Sequence, residues 1–183
     1  MLDYYLIMAI KLQAKLRQKG GLNELRNSGF VPGVVYGDGV KNVDVSVGEI
    51  PLHKAFKEAG YLIIVVTNQP DVARGWVSRA QVDLINDLVK SCLPVDEIMA
   101  CFHVDQDDCQ CRKPRPGMLI EASKKWDIDL FQSFMVGDRL SDVEAGLEAN
   151  CKTVLISDDT VLASERRAHY QSSSLIEASN CIL

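Results

Sequence analysis

From residue 60 onward, apolar runs typical of strands alternate with apolar residues at the spacing of one helix face. Residues 61–67 form a continuous apolar run rich in β-branched side chains, which predicts a strand buried on both faces of a parallel sheet. Ser78 and Gln81 then form the S-x-x-Q pattern of a capping box, and apolar residues between positions 82 and 92 recur at the spacing of one helix face. A buried strand followed by an amphipathic helix is therefore predicted.

The same alternation continues to the end of the chain. Further strands are predicted at 97–103, 133–136 and 153–156, and further helices after Pro116, at 141–149 and at 175–182. Strands that alternate with helices are typical of a doubly wound α/β fold, in which ligands bind at the carboxyl ends of the parallel strands. We therefore predict a doubly wound parallel sheet.

The first fifty residues follow a different pattern. Residues 4–19 predict a basic amphipathic helix. Residues 31–36 and 43–47 predict two short strands, with a turn between them at Gly37, Asp38 and Gly39.

These patterns divide the chain into an atypical amino-terminal segment, residues 1–49, and an α/β domain, residues 50–183. The domain opens with a helix predicted at 50–59, and its sheet needs a central apolar strand. Residues 31–36 are the β-rich run available upstream. We expect them to lie at the centre of the sheet, beside residues 61–67.

Composition narrows the class of protein. The chain has 183 residues, 47% of them apolar and 25% charged, which fits one soluble domain or one domain with an appendage. The net charge of −5 argues against non-specific binding of nucleic acid. The apolar first ten residues are too short to span a bilayer and lack the pattern of a signal peptide, so we expect no membrane association and a cytoplasmic location.

Three cysteines and one histidine cluster within a short stretch and form a candidate metal site. These residues are Cys101, His103, Cys109 and Cys111. Three thiolates and one imidazole make a closed four-ligand set of the structural zinc type, although the spacing differs from that of a common zinc finger. The alternative is a group of buried free cysteines. The remaining cysteines, Cys92, Cys151 and Cys181, are interpreted as core or incidental thiols.

Polar residues also follow the predicted strands and mark a candidate anion site. Thr67, Asn68 and Gln69 end the strand at 61–67, and Lys113 precedes the helix after Pro116. A hydroxyl, an amide and an ammonium at such positions can donate hydrogen bonds to an anion. The alternatives are a polar turn after the strand and a solvated basic loop around the lysine.

Two carboxylates at the start of the next helix are candidate ligands for Mg²⁺. Asp138 and Asp142 lie four residues apart, after Gly137 at the end of the strand at 133–136. Hard oxygen ligands at a strand end suit Mg²⁺, which usually takes one or two protein carboxylates together with water and phosphate. The alternative for Asp142 is that it only stabilises the start of the helix.

Together these motifs resemble a family of phosphatases. The order Thr67-Asn68-Gln69, the four zinc-type ligands, Arg112-Lys113-Pro114 and Gly137-Asp138 with Asp142 is similar to the haloacid dehalogenase (HAD) phosphatases that hydrolyse D-glycero-D-manno-heptose 1,7-bisphosphate, with histidinol-phosphate phosphatases as close relatives. Val72-Ala73-Arg74-Gly75 favours the heptose branch. The resemblance covers about residues 50–183.

The resemblance implies a role for each matching residue. Thr67 and Asn68 would hold the transferred phosphoryl group, and Lys113 would neutralise its charge. Asp138 would bind Mg²⁺ with help from Asp142. Arg74 and Arg112 would contact the substrate, which is expected to be a small phosphorylated sugar.

The nucleophile of that family is missing from its usual place. The family opens with a strand that carries Asp-x-Asp, in which the first carboxylate attacks phosphorus and the second protonates the leaving group. No Asp-x-Asp precedes residue 60 here, and the nearest match places Tyr36 at the nucleophile and Asp38 at the acid/base position. We therefore expect weak or absent catalysis. A non-catalytic domain that binds phosphate or a partner is the first alternative.

The amino-terminal segment resembles a different family. Residues 12–47, including the sequence LRNSGFVPGVVYG, are similar to the start of the bacterial ribosomal protein of the general-stress type that binds 5S rRNA. Five basic residues against one acidic residue give positions 11–30 a charge of +4, which fits an RNA-facing origin, although a solvated basic helix would have the same charge. The second alternative is thus a hybrid protein that binds rRNA.

Overall fold

The computed structural model describes the backbone of residues 5–8, 14–16, 30–37 and 40–48, and it describes residues 56–157, 168–179 and 181–183 with their side chains, except that of Cys92. The strands in this part of the chain are β1 (Tyr5–Met8), β2 (Ala14–Leu16), β3 (Phe30–Gly37), β4 (Val40–Gly48), β5 (Leu62–Asn68), β6 (Glu97–Cys101), β7 (Ser133–Gly137), β8 (Lys152–Ile156) and β9 (Tyr170–Ser172). The helices are α1 (Arg79–Cys92), α2 (Gly117–Trp126), α3 (Leu140–Glu148) and α4 (Leu175–Ser179).

Six of these strands form one parallel sheet. The strand order is β6-β5-β1-β7-β8-β9, and each neighbouring pair is parallel. The predicted doubly wound parallel sheet is therefore confirmed, with α1, α2 and α3 in the connections between its strands and α4 after the last strand. The edge strand β9 carries two exposed residues and was not predicted, because it has no apolar run.

The strand at the centre of the sheet is β1, so the prediction for residues 31–36 was wrong. Tyr5–Met8 pairs with β5 on one side and β7 on the other. The predicted central strand falls instead in β3, which pairs with β4 in a separate three-stranded antiparallel sheet of order β2-β4-β3. The local hairpin, closed by the pairing of Gly37 with Val40, satisfies the backbone of β3 without the parallel sheet.

The helix predicted at 4–19 was also wrong, because this stretch contains β1 and β2. A short apolar run cannot be assigned to helix or strand by periodicity alone, and pairing with two buried strands decides it here. The strand predicted at 43–47 is confirmed within β4. The helix predicted at 50–59 is helical at 56–58, and its beginning lies outside the described residues.

Side chains from alternate positions of the strands pack on opposite faces of the sheet. On β5, Ile64 and Val66 are fully buried in a cluster with residues of α2 and α3 such as Leu119 and Ala145. Ile63 points to the other face and packs with Phe56. This two-sided burial explains the continuous apolar run in the sequence. No helix among the described residues is long and apolar enough to cross a membrane.

Helix α3 packs closely against the sheet at Gly146. A Cβ atom at this position would lie 2.7 Å from both Met135 Cβ and Thr153 Cγ2. Such overpacking costs about 1–3 kcal/mol.

We expect Gly146→Ala to lower the free energy of unfolding by about this amount in urea titrations. The matched control is Glu144→Ala at an exposed position of the same helix, and equal stability of the two variants would contradict the packing.

Candidate functional site: an anion cavity beside a four-ligand cluster

A cavity of about 350 Å³ opens at the carboxyl ends of β5 and β7. The predicted anion-site and magnesium residues that line it are Thr67, Asn68, Lys113, Asp138 and Asp142. Strand β1 lies between β5 and β7, so the cavity sits at the end of the central strand. The structure thus brings together residues that the sequence separates by up to seventy-five positions.

The ammonium group of Lys113 is buried and paired. Its Nζ lies 2.7 Å from Asp142 Oδ1, with side-chain exposures of 6% and 2% for the two residues. The same Nζ donates a hydrogen bond to the Val66 carbonyl at 2.9 Å. These two partners use two of the three N–H donors of the ammonium, which leaves one donor by count.

The side chain of Asn68 holds the backbone of Lys113. Asn68 Nδ2 donates to the Lys113 carbonyl at 3.0 Å, and Asn68 Oδ1 accepts from the Lys113 N–H at 3.2 Å. Both polar ends of the amide are therefore engaged with one residue. The contact gives Asn68 a positioning role that the sequence does not indicate.

Asp142 has a structural role at the start of α3. Its Oδ2 accepts a hydrogen bond from the Arg139 N–H at 3.1 Å, and its Oδ1 faces Lys113. The interpretation that Asp142 stabilises the helix start thus has direct support, and its contact with Mg²⁺ stays a prediction. Gly137 permits this arrangement, because a Cβ there would lie 2.4 Å from Asp142 Oδ2.

Gln69, predicted as part of the anion site, also lines the cavity and donates from Nε2 to Thr67 Oγ1 at 3.2 Å. Sequence reasoning missed three further polar residues of the lining, Asn86, Arg139 and Ser141. Asn86 reaches the cavity from α1. It is a polar residue next to Ile85 on the apolar side of that helix, and this is the one sequence signal that could have indicated it.

The two arginines predicted to contact substrate lie near Asp105, outside the lining of the cavity. Arg112 Nε lies 2.5 Å from Asp105 Oδ1, and this hydrogen bond is the main reason why the pKa of Asp105 is lowered. The positive charge of Arg74 lowers that pKa further. Arg74 is itself held by Asp71 at 3.0 Å and lies 5.2 Å from the ring centre of the exposed Trp76. Their contact with substrate stays a prediction.

The four predicted metal ligands converge on one point. The ligand atoms of Cys101, His103, Cys109 and Cys111 all lie within 4.8 Å of one another. The Sγ–Sγ distances are 3.1, 3.5 and 3.7 Å, and His103 Nδ1 lies 3.3 Å from Cys111 Sγ. A tetrahedral zinc ion with Zn–S bonds of about 2.3 Å requires sulfur atoms roughly 3.8 Å apart. The cluster is therefore close to the size that a tetrahedral ion requires.

The thiols of this cluster hold their protons unequally when no cation is bound. Burial raises the pKa of Cys101, and burial with hydrogen bonds to the two other thiols raises the pKa of Cys111 to about 12. Burial also opposes ionisation of Cys109, but hydrogen bonds from Cys111 and nearby groups lower its pKa overall. Three crowded thiols thus resist joint ionisation, and a divalent cation would provide the compensating charge.

The other cysteines fit their interpretation as core or incidental thiols where they are described. Cys151 is buried, which raises its pKa to about 12 and makes it unreactive. Cys181 is exposed. The side chain of Cys92 lies outside the described residues.

Two family models match the chain. The model of HAD-hydrolase-like proteins matches residues 110–178, and that of the ribosomal L25p family matches residues 12–91. The second match extends beyond the resemblance at 12–47 into β5 and α1 of the parallel sheet. The two matched families agree with the two resemblances found in the sequence.

Solved structures with the same fold include proteins named as phosphatases. A D,D-heptose 1,7-bisphosphate phosphatase from B. bronchiseptica, complexed with magnesium and phosphate, aligns with a TM-score of 0.69 at 20% identity and covers 99% of this chain and 98% of its own. A HAD phosphatase from Thermococcus onnurineus aligns with a TM-score of 0.53 at 21% identity, over 75% of this chain and 59% of its own. These likenesses confirm the HAD-like fold.

Proteins named as heptose-bisphosphate phosphatases are also similar to this chain in sequence, at higher identity than the solved structures. The D-glycero-alpha-D-manno-heptose-1,7-bisphosphate 7-phosphatase of Campylobacter jejuni is 31% identical over 67% of this chain and 79% of its own. The enzyme of the same name from Photorhabdus laumondii is 40% identical over 52% of this chain and 59% of its own. The D-glycero-beta-D-manno-heptose-1,7-bisphosphate 7-phosphatase of Pasteurella multocida is 35% identical over 71% of this chain and 78% of its own. The chain therefore belongs to the D-glycero-D-manno-heptose-1,7-bisphosphate 7-phosphatase family of HAD-like hydrolases.

Proposed function

We propose that this chain binds a small phosphorylated sugar, heptose 1,7-bisphosphate, and hydrolyses it weakly or not at all. The observation that carries the proposal is the meeting of Thr67, Lys113 and Asp138 around one cavity. A hydroxyl, an ammonium and a carboxylate at the ends of parallel strands can together bind a phosphate and its metal ion. The relatives named for this substrate support the choice of sugar.

Each cavity residue has a proposed role in binding. The Thr67 hydroxyl donates to a phosphoryl oxygen, and Lys113 offers its third N–H and its charge. Asn68 and Asp142 hold the lysine in place from its backbone and its ammonium end. Arg74 and Arg112, at the neighbouring loop, would contact the remainder of the substrate.

Asp138 fits a site for Mg²⁺ because it places a hard carboxylate oxygen at the cavity. When bound, Mg²⁺ neutralises charge that develops on a transferred phosphoryl group. Asp142 is the second candidate ligand, although both of its oxygens already have partners.

The missing step is the attack on phosphorus. In the described register Met8 of β1 pairs with Val65 and Val136, and Thr67 and Asp138 each follow two residues later in the chain. Two residues beyond Met8 the sequence has Ile10, and residues 9–13 (AIKLQ) contain no carboxylate. Asp38 lies outside the described residues. Its predicted catalytic role assumed that residues 31–36 form the central strand, whereas β3 belongs to the other sheet. Without a carboxylate acceptor, the two-step hydrolysis has no covalent intermediate.

Two alternatives remain from the sequence. A non-catalytic domain that binds phosphate or a partner is favoured by the same missing carboxylate. A hybrid protein that binds rRNA is favoured by the ribosomal match at residues 12–91, and the overall charge of −5 argues against it. A salt-dependent complex with 5S rRNA would support this second alternative.

We further propose that the four-ligand cluster binds one structural zinc ion. Thiolate and imidazole ligands suit zinc, and a closed set of four leaves no position for a catalytic water. The sulfur separations of 3.1–3.7 Å support a tetrahedral ion.

The zinc proposal predicts one ion per chain after purification without chelators. Cys109→Ser should lower the zinc content well below one and loosen the loop at 101–115, because a structural site loses binding energy with each ligand. The matched control is Cys181→Ser, which removes an exposed thiol outside the cluster and should leave the content unchanged. Metal analysis by mass spectrometry measures both, and a zinc-free unmodified chain would refute the site.

The catalytic proposal predicts that turnover is restored by carboxylates after β1. The unmodified chain should release phosphate from the bisphosphate far more slowly than the ordinary enzyme rate of ~10 s⁻¹. The double variant Ile10→Asp, Leu12→Asp should raise Mg²⁺-dependent release by about 100-fold or more, because a positioned acid or base contributes roughly 10²–10⁴. The control Tyr36→Asp, in β3, should give no gain. Turnover near ~10 s⁻¹ in the unmodified chain would mean that the nucleophile lies elsewhere.

A further inference from the structure

Residues 112–117 join the four-ligand cluster to the anion cavity. Cys111 is a ligand of the cluster, and Lys113, two residues later, carries the ammonium that faces the cavity. The N–H of Arg115 donates to the Arg112 carbonyl at 2.9 Å and closes a tight turn around the lysine. The two sites are thus only a few bonds apart along one constrained segment.

Arg115 contacts the part of the cluster that includes Cys109. The four ligands come from two arms, one with Cys101 and His103 and the other with Cys109 and Cys111. Arg115 Nη1 donates to the Cys109 carbonyl at 2.6 Å, and its Nη2 pairs with Asp108. One guanidinium therefore holds both the backbone carbonyl of the ligand Cys109 and the side chain of the residue before it. Arginine suits the task because its planar fork presents several donors in a fixed geometry.

Two further hydrogen bonds join residues 112–117 to the cluster. The Gly117 N–H donates to the Gln110 carbonyl at 3.0 Å, and a Cβ on Gly117 would lie 2.2 Å from that oxygen. Arg112 Nη1 reaches the His103 carbonyl at 3.3 Å on the other arm. The segment that presents Lys113 is therefore bonded to carbonyls on both arms of the cluster.

The other side of the segment is bonded to the sheet. Asn68, at the end of β5, uses both ends of its amide on the Lys113 backbone, and Asp142 and the Val66 carbonyl hold its ammonium. The cluster and the sheet grip opposite sides of the same short stretch. Ordering one side lowers the conformational cost of ordering the other.

We propose that Arg115 is a positioning residue that couples the two sites, so that zinc in the cluster and a phosphate at Lys113 strengthen each other's binding. This inference rests on the proposed function of the cavity and adds its regulation by metal occupancy. Coupling between two binding sites is reciprocal, so phosphate must slow the loss of zinc by the same free energy with which zinc favours phosphate.

The test compares three variants of the full chain with the unmodified protein. Arg115→Ala removes the fork, and Arg115→Lys keeps the charge opposite Asp108 but cannot bond both groups in the same geometry. The control is Lys124→Ala, which removes one positive charge from an exposed position of α2. Zinc affinity is measured against a zinc-selective chelator, and the affinity for inorganic phosphate is measured by calorimetry at fixed Mg²⁺ and buffered free zinc.

We expect Arg115→Ala to weaken zinc binding by about 10- to 100-fold, the usual loss when a group that orients a metal ligand is removed. At subsaturating zinc its phosphate affinity should fall by about fivefold or more, and saturating zinc should restore it. Arg115→Lys should fall between Arg115→Ala and the unmodified chain, and it serves as the test if Arg115→Ala does not fold. Lys124→Ala should match the unmodified chain.

Two results would overturn the inference. Zinc affinities of both Arg115 variants equal to that of Lys124→Ala would remove the positioning role of Arg115. Phosphate affinity independent of zinc occupancy in the unmodified chain would remove the coupling. A zinc-loaded chain that binds no phosphate would instead refute the proposed function, and the zinc affinities would still decide the role of Arg115 in the cluster.

Discussion

The buried ammonium of Lys113 is the constraint on which the rest of the site depends. A charge in the interior must be paired and hydrogen-bonded, since an isolated buried ion costs several kcal/mol. Asp142 of α3 and the Val66 carbonyl of β5 meet this demand, and the amide of Asn68 holds the backbone of the same lysine. The pair also fixes the turn at Gly137, because the Asp142 carboxylate lies where a side chain on residue 137 would be. Removal of Asp142 alone would leave an uncompensated charge, at a cost of about 3–5 kcal/mol.

The local features of this site were predictable from the sequence. The four metal ligands lie within eleven residues, so their spacing indicated a cluster before any fold was known. The strand at 133–136 is fully buried and the strand at 61–67 is buried over most of its length, an environment that mainly apolar runs indicate. Thr67, Lys113 and Asp138 follow from the rule that ligands collect at the carboxyl ends of parallel strands.

The errors came from contacts between distant parts of the chain. Tyr5–Met8 is a strand of only four residues in an apolar stretch, and its pairing partners lie about 57 and 128 residues away. No local pattern distinguishes such a strand from one turn of helix, whereas residues 30–48 have every local signal of a hairpin. The contact of Asn68 was missed for the same reason, because it meets Lys113 across 45 residues. The contact of Arg115 is local, but it is made to a backbone carbonyl, which the sequence does not distinguish from any other.

We propose that the anion site is assembled in this chain without the carboxylate that attacks phosphorus. Titration of inorganic phosphate into the unmodified chain and into Thr67→Val, both with Mg²⁺, tests this proposal. Thr67→Val keeps the shape of the side chain and removes one donor to a charged ligand, a loss of about 1.5–3 kcal/mol or roughly tenfold or more in affinity. We expect saturable binding to the unmodified chain and binding weakened by that factor in the variant. No saturable binding to the unmodified chain, or equal affinity in both proteins, would contradict it.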